Sequence, residues 1–453
     1  MGLLKRTWVF VVVVATLVGT GIFGVVPSVA AASDGPLAGG KLAHVVGVTS
    51  DAGSETSCAV ISTGAVDCWG YGASGQLGNG TTTNSDIPVS TGITDGKAVA
   101  DSYEGSSFCA LLTTGGVDCW GQNSYGDLGD GSGTNSDVPE SVVGLSNAVS
   151  VVGGEDNFCA VLSSGQIDCW GYDGDGELGN GSTGTSSSVP VAVETITNAS
   201  AVVGGLFYFC SLLANGGVDC WGQNSYGQLG NGTTSASDVP VAVSGISTAK
   251  SVTAGSESVS VCAVLSTGGV DCWGDNADGQ LGNGTTTNAV APVSTGLTDA
   301  KALAEDVQTE GSAVGFCALL TTGHIECWGD NVYGELGNKT TTASDVPVKV
   351  KKIKTADSIV GGDNAYCAVL ASGSLDCWGR GDYGNLGDGT TTSSDKPVPV
   401  ETITSGSKVV SGYLVFCSLL TTGKLDCWGY GGADQLGNAK MTNSDVPVAV
   451  KAT

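Results

Sequence analysis

The sequence has little charge and few of the residue types that dominate helices and metal sites. Of 453 residues only 13% are charged, and there are two histidines and two methionines. Helices are rich in Ala, Leu, Glu and Lys, whereas this chain has 73 glycines and abundant Ser and Thr. These shortages exclude a helical bundle and predict short strands joined by many tight turns.

Motifs of the common enzyme classes are also missing. The chain has no G-x-S-x-G, P-loop or H-E-x-x-H motif, and its histidines, His44 and His324, lie far apart in the sequence. No C-x2-C pair suggests a zinc site. We therefore expect a protein that is not an enzyme. A secreted carbohydrate-active enzyme with paired carboxylates stays an alternative, because the sequence does not give the separations of its acidic residues.

Basic residues are scarce beside acidic ones. The chain has 17 Lys and Arg against 44 Asp and Glu, a formal net charge of −27 at pH 7. Such a field repels phosphate backbones, so nucleic acid is not an expected partner. Cations and basic proteins are compatible with this charge. The largest basic cluster is Lys349, Lys351, Lys352 and Lys354.

A long apolar run near the amino terminus is the one segment expected to enter a membrane. Lys5 and Arg6 precede the run at residues 8–26, and small residues suited to signal cleavage follow at residues 28–32. We predict that residues 1–32 are a signal peptide; an uncleaved anchor helix is the alternative. Both interpretations place the rest of the chain outside the cytoplasm, secreted or in the cell envelope.

One arrangement recurs through the rest of the chain. The 16 cysteines form eight C-x9-C pairs, each followed by Trp-Gly, and no cysteine is left over. Successive tryptophans after these pairs lie about 51 residues apart, from Trp69 to Trp428. A period of this length is typical of solenoids, propellers and arrays. We therefore expect residues 41–453 to form a single domain of eight repeats.

Each repeat contains four short segments typical of strands. In residues 148–194 these are AVSVVGG, FCAVL, IDCWG and VPVAV, separated by polar stretches of Gly, Asn, Ser and Thr. Four strands in each of eight repeats predict an all-β propeller with one four-stranded sheet per blade. Because a lone blade cannot bury both of its faces, the copies must pack around a ring.

The cysteine spacing defines a hairpin between the second and third strands. Pairing Cys109 with Cys119 sets Leu111 opposite Val117 and leaves a three-residue loop ending in Gly115, where a left-handed residue is needed. Directly opposed cysteines lie close enough for a disulfide, which export would favour. The expected disulfides, one per blade, are Cys58–Cys68, Cys109–Cys119, Cys159–Cys169, Cys210–Cys220, Cys262–Cys272, Cys317–Cys327, Cys367–Cys377 and Cys417–Cys427.

The segment CWGQNSYGQLGNGTTSASDVPV at residues 220–241 resembles the regulator-of-chromosome-condensation repeat family. The similarity recurs eight times over residues 41–453, and the cysteine pairs are similar to those of the exported bacterial branch. The resemblance implies a β-propeller that serves as a protein-binding platform. One kind in the family promotes nucleotide exchange on a small GTPase, and a secreted kind inhibits β-lactamases. An exported chain would not meet an intracellular GTPase, so the exchange role is not expected.

The number of copies departs from the family pattern, in which seven blades are usual. Eight complete copies of nearly equal length predict eight blades here, with seven blades and one extra repeat as the alternative. We also expect the termini to close the ring. A last strand at residues 446–450 would then join the sheet begun by residues 42–46.

Acidic residues recur at two kinds of position that could bind a cation. The first is the residue before the second cysteine of each repeat. We interpret its carboxylate as a structural acceptor of N–H bonds from the backbone or a tryptophan of the next blade.

The second is a pair of loops at residues 172–181 and 275–284. They resemble fragments of calcium loops without the full spacing, and turn chemistry explains them equally well. No cofactor is expected, and calcium bound at Asp173, Asp175, Glu177, Asp275 and Asp278 is the alternative.

The repeats differ most in the loop between the first and second strands. This loop is longest at residues 304–316 and is also long at residues 47–57 and 255–261. Insertions at one point of a repeat project from one face of a propeller, where partners commonly bind, and aromatic side chains often anchor them. The predicted binding residues are Tyr103, Phe207, Tyr208, Glu305, Asp306, Glu310 and Tyr413.

Together these patterns favour a monomeric, exported binding module whose partner is a protein or a cell-surface polymer. Two alternatives stay open. One is the carbohydrate-active enzyme, and the other is a structural envelope or adhesion protein with no discrete partner.

Overall fold

A computed structural model describes residues 42–50, 55–103, 106–254, 259–306, 314–412 and 414–452. Within these ranges the chain forms 32 β-strands and no helix. The predicted signal segment, residues 1–32, lies outside the described residues, as do the predicted site residues Glu310 and Tyr413.

Four consecutive strands make each blade. The first four blades are β1 (Val45–Ser50), β2 (Thr56–Ile61), β3 (Val66–Gly70), β4 (Ser85–Ser90); β5 (Gly96–Asp101), β6 (Ser107–Leu112), β7 (Val117–Gly121), β8 (Ser136–Ser141); β9 (Ala148–Gly153), β10 (Asn157–Leu162), β11 (Ile167–Gly171), β12 (Ser187–Ala192); and β13 (Ala199–Gly205), β14 (Tyr208–Leu213), β15 (Val218–Gly222), β16 (Ser237–Ala242). The last four are β17 (Ala249–Ala254), β18 (Ser260–Leu265), β19 (Val270–Gly274), β20 (Ala289–Ser294); β21 (Ala300–Glu305), β22 (Gly315–Leu320), β23 (Ile325–Gly329), β24 (Ser344–Lys349); β25 (Ala356–Gly362), β26 (Ala365–Leu370), β27 (Leu375–Gly379), β28 (Ser394–Pro399); and β29 (Gly406–Gly412), β30 (Val415–Leu420), β31 (Leu425–Gly429), β32 (Ser444–Ala449).

Every sheet is an antiparallel meander, so strands that are neighbours in sequence are neighbours in space. This confirms an all-β propeller with eight four-stranded blades. The central hairpins have the predicted register, and in blade 2 Leu111 lies opposite Val117 and Cys109 opposite Cys119.

A disulfide crosses the central hairpin of each blade, as predicted. The paired Cα atoms are 4.0–4.1 Å apart in all eight, and no cysteine is free. The hairpin turn is also as predicted, because Gly115 has a φ of +86° and donates its N–H to Leu112 O. A Cβ at this position would lie 2.9 Å from Ser146 O in the linker to the next blade. Glycine is therefore required both by the turn and by the packing of the linker.

The tryptophan after the second cysteine packs between blades. The third and fourth strands bulge at this residue, with a register shift between Cys119 and Gly121 in blade 2. Trp120 is fully buried, stacks on Phe108 with ring centroids 6.1 Å apart, and donates its indole N–H to Gln76 O of the preceding blade at 2.8 Å. The equivalent bonds run from Trp69 to Gln435, Trp170 to Asp127, Trp221 to Glu177, Trp273 to Gln228, Trp328 to Gln280, Trp378 to Glu335 and Trp428 to Asn385.

The acidic residue before the second cysteine does not receive that indole N–H. Asp118 lies opposite Ala110, as predicted, and its carboxylate accepts a hydrogen bond from Ser141 Oγ in the fourth strand at 2.8 Å. Because a backbone carbonyl already accepts each tryptophan N–H, the expected tryptophan–carboxylate bond is wrong. Burial raises the pKa of the equivalent carboxyl groups of Asp67, Asp168, Asp219 and Asp376.

The hydrophobic core is divided into eight wedges, one at each blade boundary. The wedge between blades 2 and 3 contains Leu111 and Val117 from one blade and Val151, Phe158 and Trp170 from the next. Because each wedge needs both neighbours, stability comes from contacts between adjacent repeats.

The ring closes without a shared sheet, which corrects the expected closure by the termini. β32 belongs to the sheet of β29–β31, and β1 belongs to the sheet of β2–β4. The boundary between blades 8 and 1 uses the same contacts as the others, since Trp69 donates to Gln435 O and Val45 N–H donates to Gly423 O. The two ends of the described chain meet through a backbone hydrogen bond from Leu42 N to Val450 O at 2.9 Å.

Candidate binding face

The meander places the loops of every blade on two opposite faces of the ring. The turn between the first and second strands and the loop between the third and fourth strands share one face, which we call the loop face. The central hairpins form the other, the hairpin face. A backbone hydrogen bond joins the two loop types in each blade, as from Tyr172 N to Asp156 O at 2.9 Å in blade 3. The two loop types are thus joined to each other in every blade of the loop face.

Two positions after each Trp-Gly carry the large side chains of this face. We call the first residue after Trp-Gly position 1 and the fourth residue position 4. Tyrosine occupies one of them in seven of the eight blades, and we call this set the tyrosine belt: Tyr71, Tyr125, Tyr172, Tyr226, Tyr333, Tyr383 and Tyr430.

Position 4 of one blade contacts position 1 of the next. The rings of Tyr125 and Tyr172 meet edge to face with centroids 5.0 Å apart, and those of Tyr383 and Tyr430 do so at 5.4 Å. In other blades the same contact is polar, since Gln223 donates its amide N–H to a carboxylate oxygen of Asp175 at 3.4 Å. The belt therefore bridges the blade boundaries.

Several belt tyrosines present their rings to solvent. Tyr71, Tyr125 and Tyr226 are 38%, 43% and 45% exposed. Phe207, from the turn of blade 4, lies half-buried against Tyr172 with ring centroids 6.0 Å apart. A rigid aromatic ring with a polar tip is the type of side chain that anchors protein interfaces.

A cation is already held in one part of the belt. The Arg380 guanidinium lies 5.3 Å from the ring centroid of Tyr333 and 5.7 Å from that of Tyr383. It also pairs with Asp363 at 3.5 Å and Asp382 at 3.3 Å. Two rings and two carboxylates therefore surround one guanidinium on the loop face.

Beneath the belt, the sixth residue after Trp-Gly holds the loop together. In blade 4 the side-chain oxygen of Gln228 accepts the N–H of Tyr226, and glutamines do the same in three other blades. Asp127, Glu177 and Glu335 make the equivalent bonds with carboxylates. Burial raises the pKa of these three groups to about 7, 8 and 7 respectively.

Two of the predicted aromatic anchors are core residues. Tyr208 is fully buried and its hydroxyl donates to Ser260 O of the next blade at 3.3 Å. Tyr103 is 6% exposed, and its N–H donates to Gly154 O of the next blade at 3.0 Å. Both lie too deep to reach a partner, so the expectation of exposed loop anchors is wrong for these two. Phe207 lies on the loop face, where it was expected.

The predicted acidic residues at the start of the long loop are also buried. Glu305 is 7% and Asp306 1% exposed. The Asp306 N–H donates to the Tyr366 hydroxyl at 3.1 Å, and that hydroxyl donates to Gly315 O at 2.6 Å. These bonds tie the base of the insertion to blade 7. Burial raises the pKa of Asp306, and the charges of Glu335, Glu305 and Asp330 raise it further.

The calcium candidates make turn contacts. Asp173 is buried and accepts the N–H of Leu178, and Glu177 accepts the N–H of Asp175. Asp275 accepts the amide of Gln280 at 2.8 Å, and Asp278 lies half-buried in the same loop. Across the described ranges, no group of three or more His, Cys, Asp or Glu side chains is arranged to hold a metal ion.

The part of the chain that the structure describes also contains no helix long and apolar enough to cross a membrane.

Comparison with family models identifies the repeats. The regulator of chromosome condensation (RCC1) repeat model matches residues 63–112, 114–161, 215–262 and 372–414, and a second model of that description matches residues 199–228. The chain contains RCC1 repeats. Its eight blades form the propeller, with a disulfide in each.

Curated relatives share the repeats over part of their length. Human HERC2, an E3 ubiquitin-protein ligase, is 30% identical over 241 residues, which are 52% of this chain and 5% of HERC2. The ultraviolet-B receptor UVR8 of Arabidopsis thaliana is 27% identical over 249 residues, 54% of this chain and 57% of UVR8. The match to UVR8 thus spans little more than half of that relative, and the match to HERC2 far less.

Solved structures share the fold. Yeast RCC1 (Prp20), in a crystal structure in which Kap60 is bound to it, has a TM-score of 0.59 at 20% identity, covering 77% of this chain and 86% of that chain. Human WBSCR16 has a TM-score of 0.58 at 19% identity, covering 77% of this chain and 96% of that chain. At such identities the likeness shows the fold alone.

The tyrosine belt is absent from the binding residues predicted from the sequence. Its signal was present, since tyrosine recurs at one of two offsets from Trp-Gly in seven repeats. The predicted residues lie in loops where the repeats differ, whereas the belt is a feature that the repeats share.

Proposed function

We propose that this RCC1-repeat propeller is a non-enzymatic binding module that holds a protein partner on its loop face. The observation that carries the proposal is the tyrosine belt, in which Tyr125 and Tyr226 are exposed while their backbones are fixed by buried side chains beneath. Preorganised aromatic anchors lose little conformational entropy on binding, which suits a protein interface.

We further propose that the protein is exported and acts in the extracellular space or the cell envelope. All 16 cysteines are paired in cross-strand disulfides, and such bonds persist in oxidising compartments. The apolar run at residues 8–26, with basic residues before it, is consistent with a signal segment. The cysteine pairs fit an exported bacterial branch of the family.

The contacts on the loop face support binding over hydrolysis. A glycosidase needs two carboxyl groups that reach the substrate. Glu177 and Glu335, whose pKa values are raised to about 8 and 7, are fully buried and accept backbone N–H bonds. Both histidines lie toward the hairpin face, His324 in a hairpin and His44 beside Gly423 of another.

Affinity capture from secreted and envelope fractions tests this function. The purified protein is compared with a loop-face variant, Tyr125→Ala with Tyr226→Ala, and a hairpin-face control, Thr113→Ala with Thr114→Ala. We expect a stoichiometric protein that the wild type and the control retain and the loop-face variant loses.

Two results would overturn parts of the proposal. Retention of a polysaccharide with no protein would replace the protein partner by a surface polymer. Equal capture by all three proteins would exclude the loop face as the binding surface.

Export is tested separately, by fractionating cells that produce the full-length chain and by labelling its thiols without reduction. Cytoplasmic protein with labelled cysteines would contradict it.

A further inference from the structure

Blade 7 shows which chemistry the loop face can bind. Arg380 at position 1 lies between the position 4 tyrosines of blades 6 and 7, and Asp363 and Asp382 pair with its charge. We call each contact between position 4 of one blade and position 1 of the next a slot of the belt. At the slot between blades 6 and 7 the chain supplies its own guanidinium.

Earlier boundaries have the same ring and carboxylate types without the arginine. Between blades 4 and 5, Tyr226 at position 4 precedes Asp275 at position 1 and Asp278 at position 4. Between blades 5 and 6, Asp278 precedes Asp330 at position 1 and Tyr333 at position 4. Among the described residues, no Lys, Arg or His forms an ion pair with these three aspartates. The slots from blade 4 to blade 6 therefore contain acceptors for a cation that the described chain does not itself supply.

Repeat symmetry brings these side chains together. The contact between position 4 and the following position 1 is seen at Tyr125–Tyr172, Tyr333–Arg380 and Asp175–Gln223. By the same repeat geometry we expect Tyr226 to lie beside Asp275 and Asp278 beside Asp330. The electrostatics agree, because Asp330 and Asp275 both raise the pKa of Asp278 after burial has raised it. Neighbouring carboxylates of this kind favour a cationic ligand.

We infer that the surface formed by Tyr226, Asp275, Asp278 and Tyr333, called the acidic arc, binds arginine side chains of a basic partner segment. Asp330 is buried beside Asp278 and adds negative charge behind this surface. This inference rests on the proposed protein-binding function and specifies its partner. The formal net charge of −27 draws a basic segment toward the propeller at long range. At short range the guanidinium plane can stack on a tyrosine while its N–H groups reach the carboxylates.

A peptide assay measures this chemistry directly. The probe is a fluorescent peptide of alternating glycine and arginine, compared with versions in which lysine or citrulline replaces arginine. Citrulline keeps the shape of arginine and removes its charge. We expect the citrulline peptide to bind at least about tenfold more weakly than the arginine peptide, with the lysine peptide between them. Equal binding of the arginine and citrulline peptides would overturn the inference.

Variants locate the binding on the arc. Tyr226→Leu removes the π-face while keeping an apolar side chain, and Asp275→Asn with Asp278→Asn removes two charges. We expect each to weaken binding of the arginine peptide about tenfold. The matched control, Asp95→Asn with Asp299→Asn, makes the same charge change on the hairpin face. There the backbone N–H groups of Thr113 and Thr321 donate to the backbone carbonyls of Asp95 and Asp299. Weakening by the control to the same extent would show a general charge effect and contradict a site on the arc.

A further variant tests whether the slots are equivalent. Asp275→Arg puts an arginine at position 1 beside Tyr226, as Arg380 is placed beside Tyr333 in blade 7. We expect this side chain to occupy the slot and abolish peptide binding. Undiminished binding would overturn the inference. Thermal unfolding of every variant, with disulfides intact, separates loss of binding from loss of fold.

The inference and the proposed function fail in different ways. If a captured partner depends on the loop face and excess arginine peptide does not displace it, the basic-partner inference fails and the binding function stands. If no partner depends on the loop face, the binding function itself fails.

Discussion

Gly129 lies against the indole of Trp170 across the boundary between blades 2 and 3. Its φ is +63°, and a Cβ built on it would lie 2.9 Å from Trp170 Cδ1. The same glycine–tryptophan contact recurs at all eight boundaries, with a φ of +56° to +67°, at Gly78, Gly129, Gly179, Gly230, Gly282, Gly337, Gly387 and Gly437. The conformation and the contact each require glycine.

Gly129→Ala should therefore lower the free energy of unfolding by more than the left-handed backbone conformation of an alanine would by itself. We expect the free energy of unfolding to fall by about 2–4 kcal/mol, as backbone strain adds to the displacement of a buried indole. Gly144→Ala is the matched control, because Gly144 has a φ of +75° and no atom lies within 4 Å of its Cβ position. The control should lose about 1 kcal/mol. Urea unfolding with disulfides intact gives both values, and equal losses would show that the tryptophan contact is unimportant.

The buried carboxylates of the loop face should make stability depend on pH. The folded-state pKa of Glu177 is raised to about 8 and that of Glu335 to about 7, both from 4.5. A raised pKa means that the folded state holds its proton more tightly, so stability is greatest below about pH 4.5 and falls as the pH rises through 7 to 8. Unfolding midpoints measured from pH 5 to 8.5 should therefore decrease.

The chain supplies the control for that prediction. Gln280 makes the same hydrogen bond in blade 5 with an amide. Glu177→Gln with Glu335→Gln should flatten the decline, and Gln280→Glu should steepen it. A decline unchanged in both variants would assign the pH dependence to other groups.

Removing one disulfide should have a local and moderate effect. Cys109→Ala with Cys119→Ala opens a loop of sequence separation 10. The chain-entropy model gives a loss of about 2–3 kcal/mol, to which the cavity between blades adds. Hydrogen exchange should increase first in blade 2 and its neighbours, since contacts run between adjacent repeats. An increase spread evenly over all blades would contradict this local behaviour.

The Tyr366 hydroxyl should hold the base of the long insertion in blade 6. It accepts from Asp306 N and donates to Gly315 O, on either side of residues 307–313. Tyr366→Phe removes both bonds, at a cost of about 1–2 kcal/mol. We expect limited proteolysis to cut between residues 306 and 315 faster than in the wild type. Tyr208→Phe, which removes one hydroxyl bond to Ser260 O, should leave that rate unchanged.

Much of the fold could be predicted because one local pattern is repeated. The C-x9-C spacing determines the hairpin register, and in blade 2 it sets Leu111 opposite Val117 as expected. Ring closure was predicted wrongly, because the pattern inside a repeat does not show where the first blade begins. That depends on which segments pair, and β1 pairs with β2 of its own repeat.

The candidate site was less predictable, because exposure depends on packing between blades. Tyr208 and Tyr125 both lie near glycines in the sequence, yet one is fully buried and the other is 43% exposed. The difference arises from the neighbouring blade, which covers Tyr208 through Ser260. No pattern within a single repeat contains that information.

The first and last blades share no sheet, so the ring does not require the chain to begin at a particular blade. Leu42 and Val450 are adjacent, and the boundary between blades 8 and 1 has the contacts of any other. The gene could therefore be opened in any linker between blades and its old ends joined by a short peptide. Each such circular permutant would begin with a different blade and fold to the same ring.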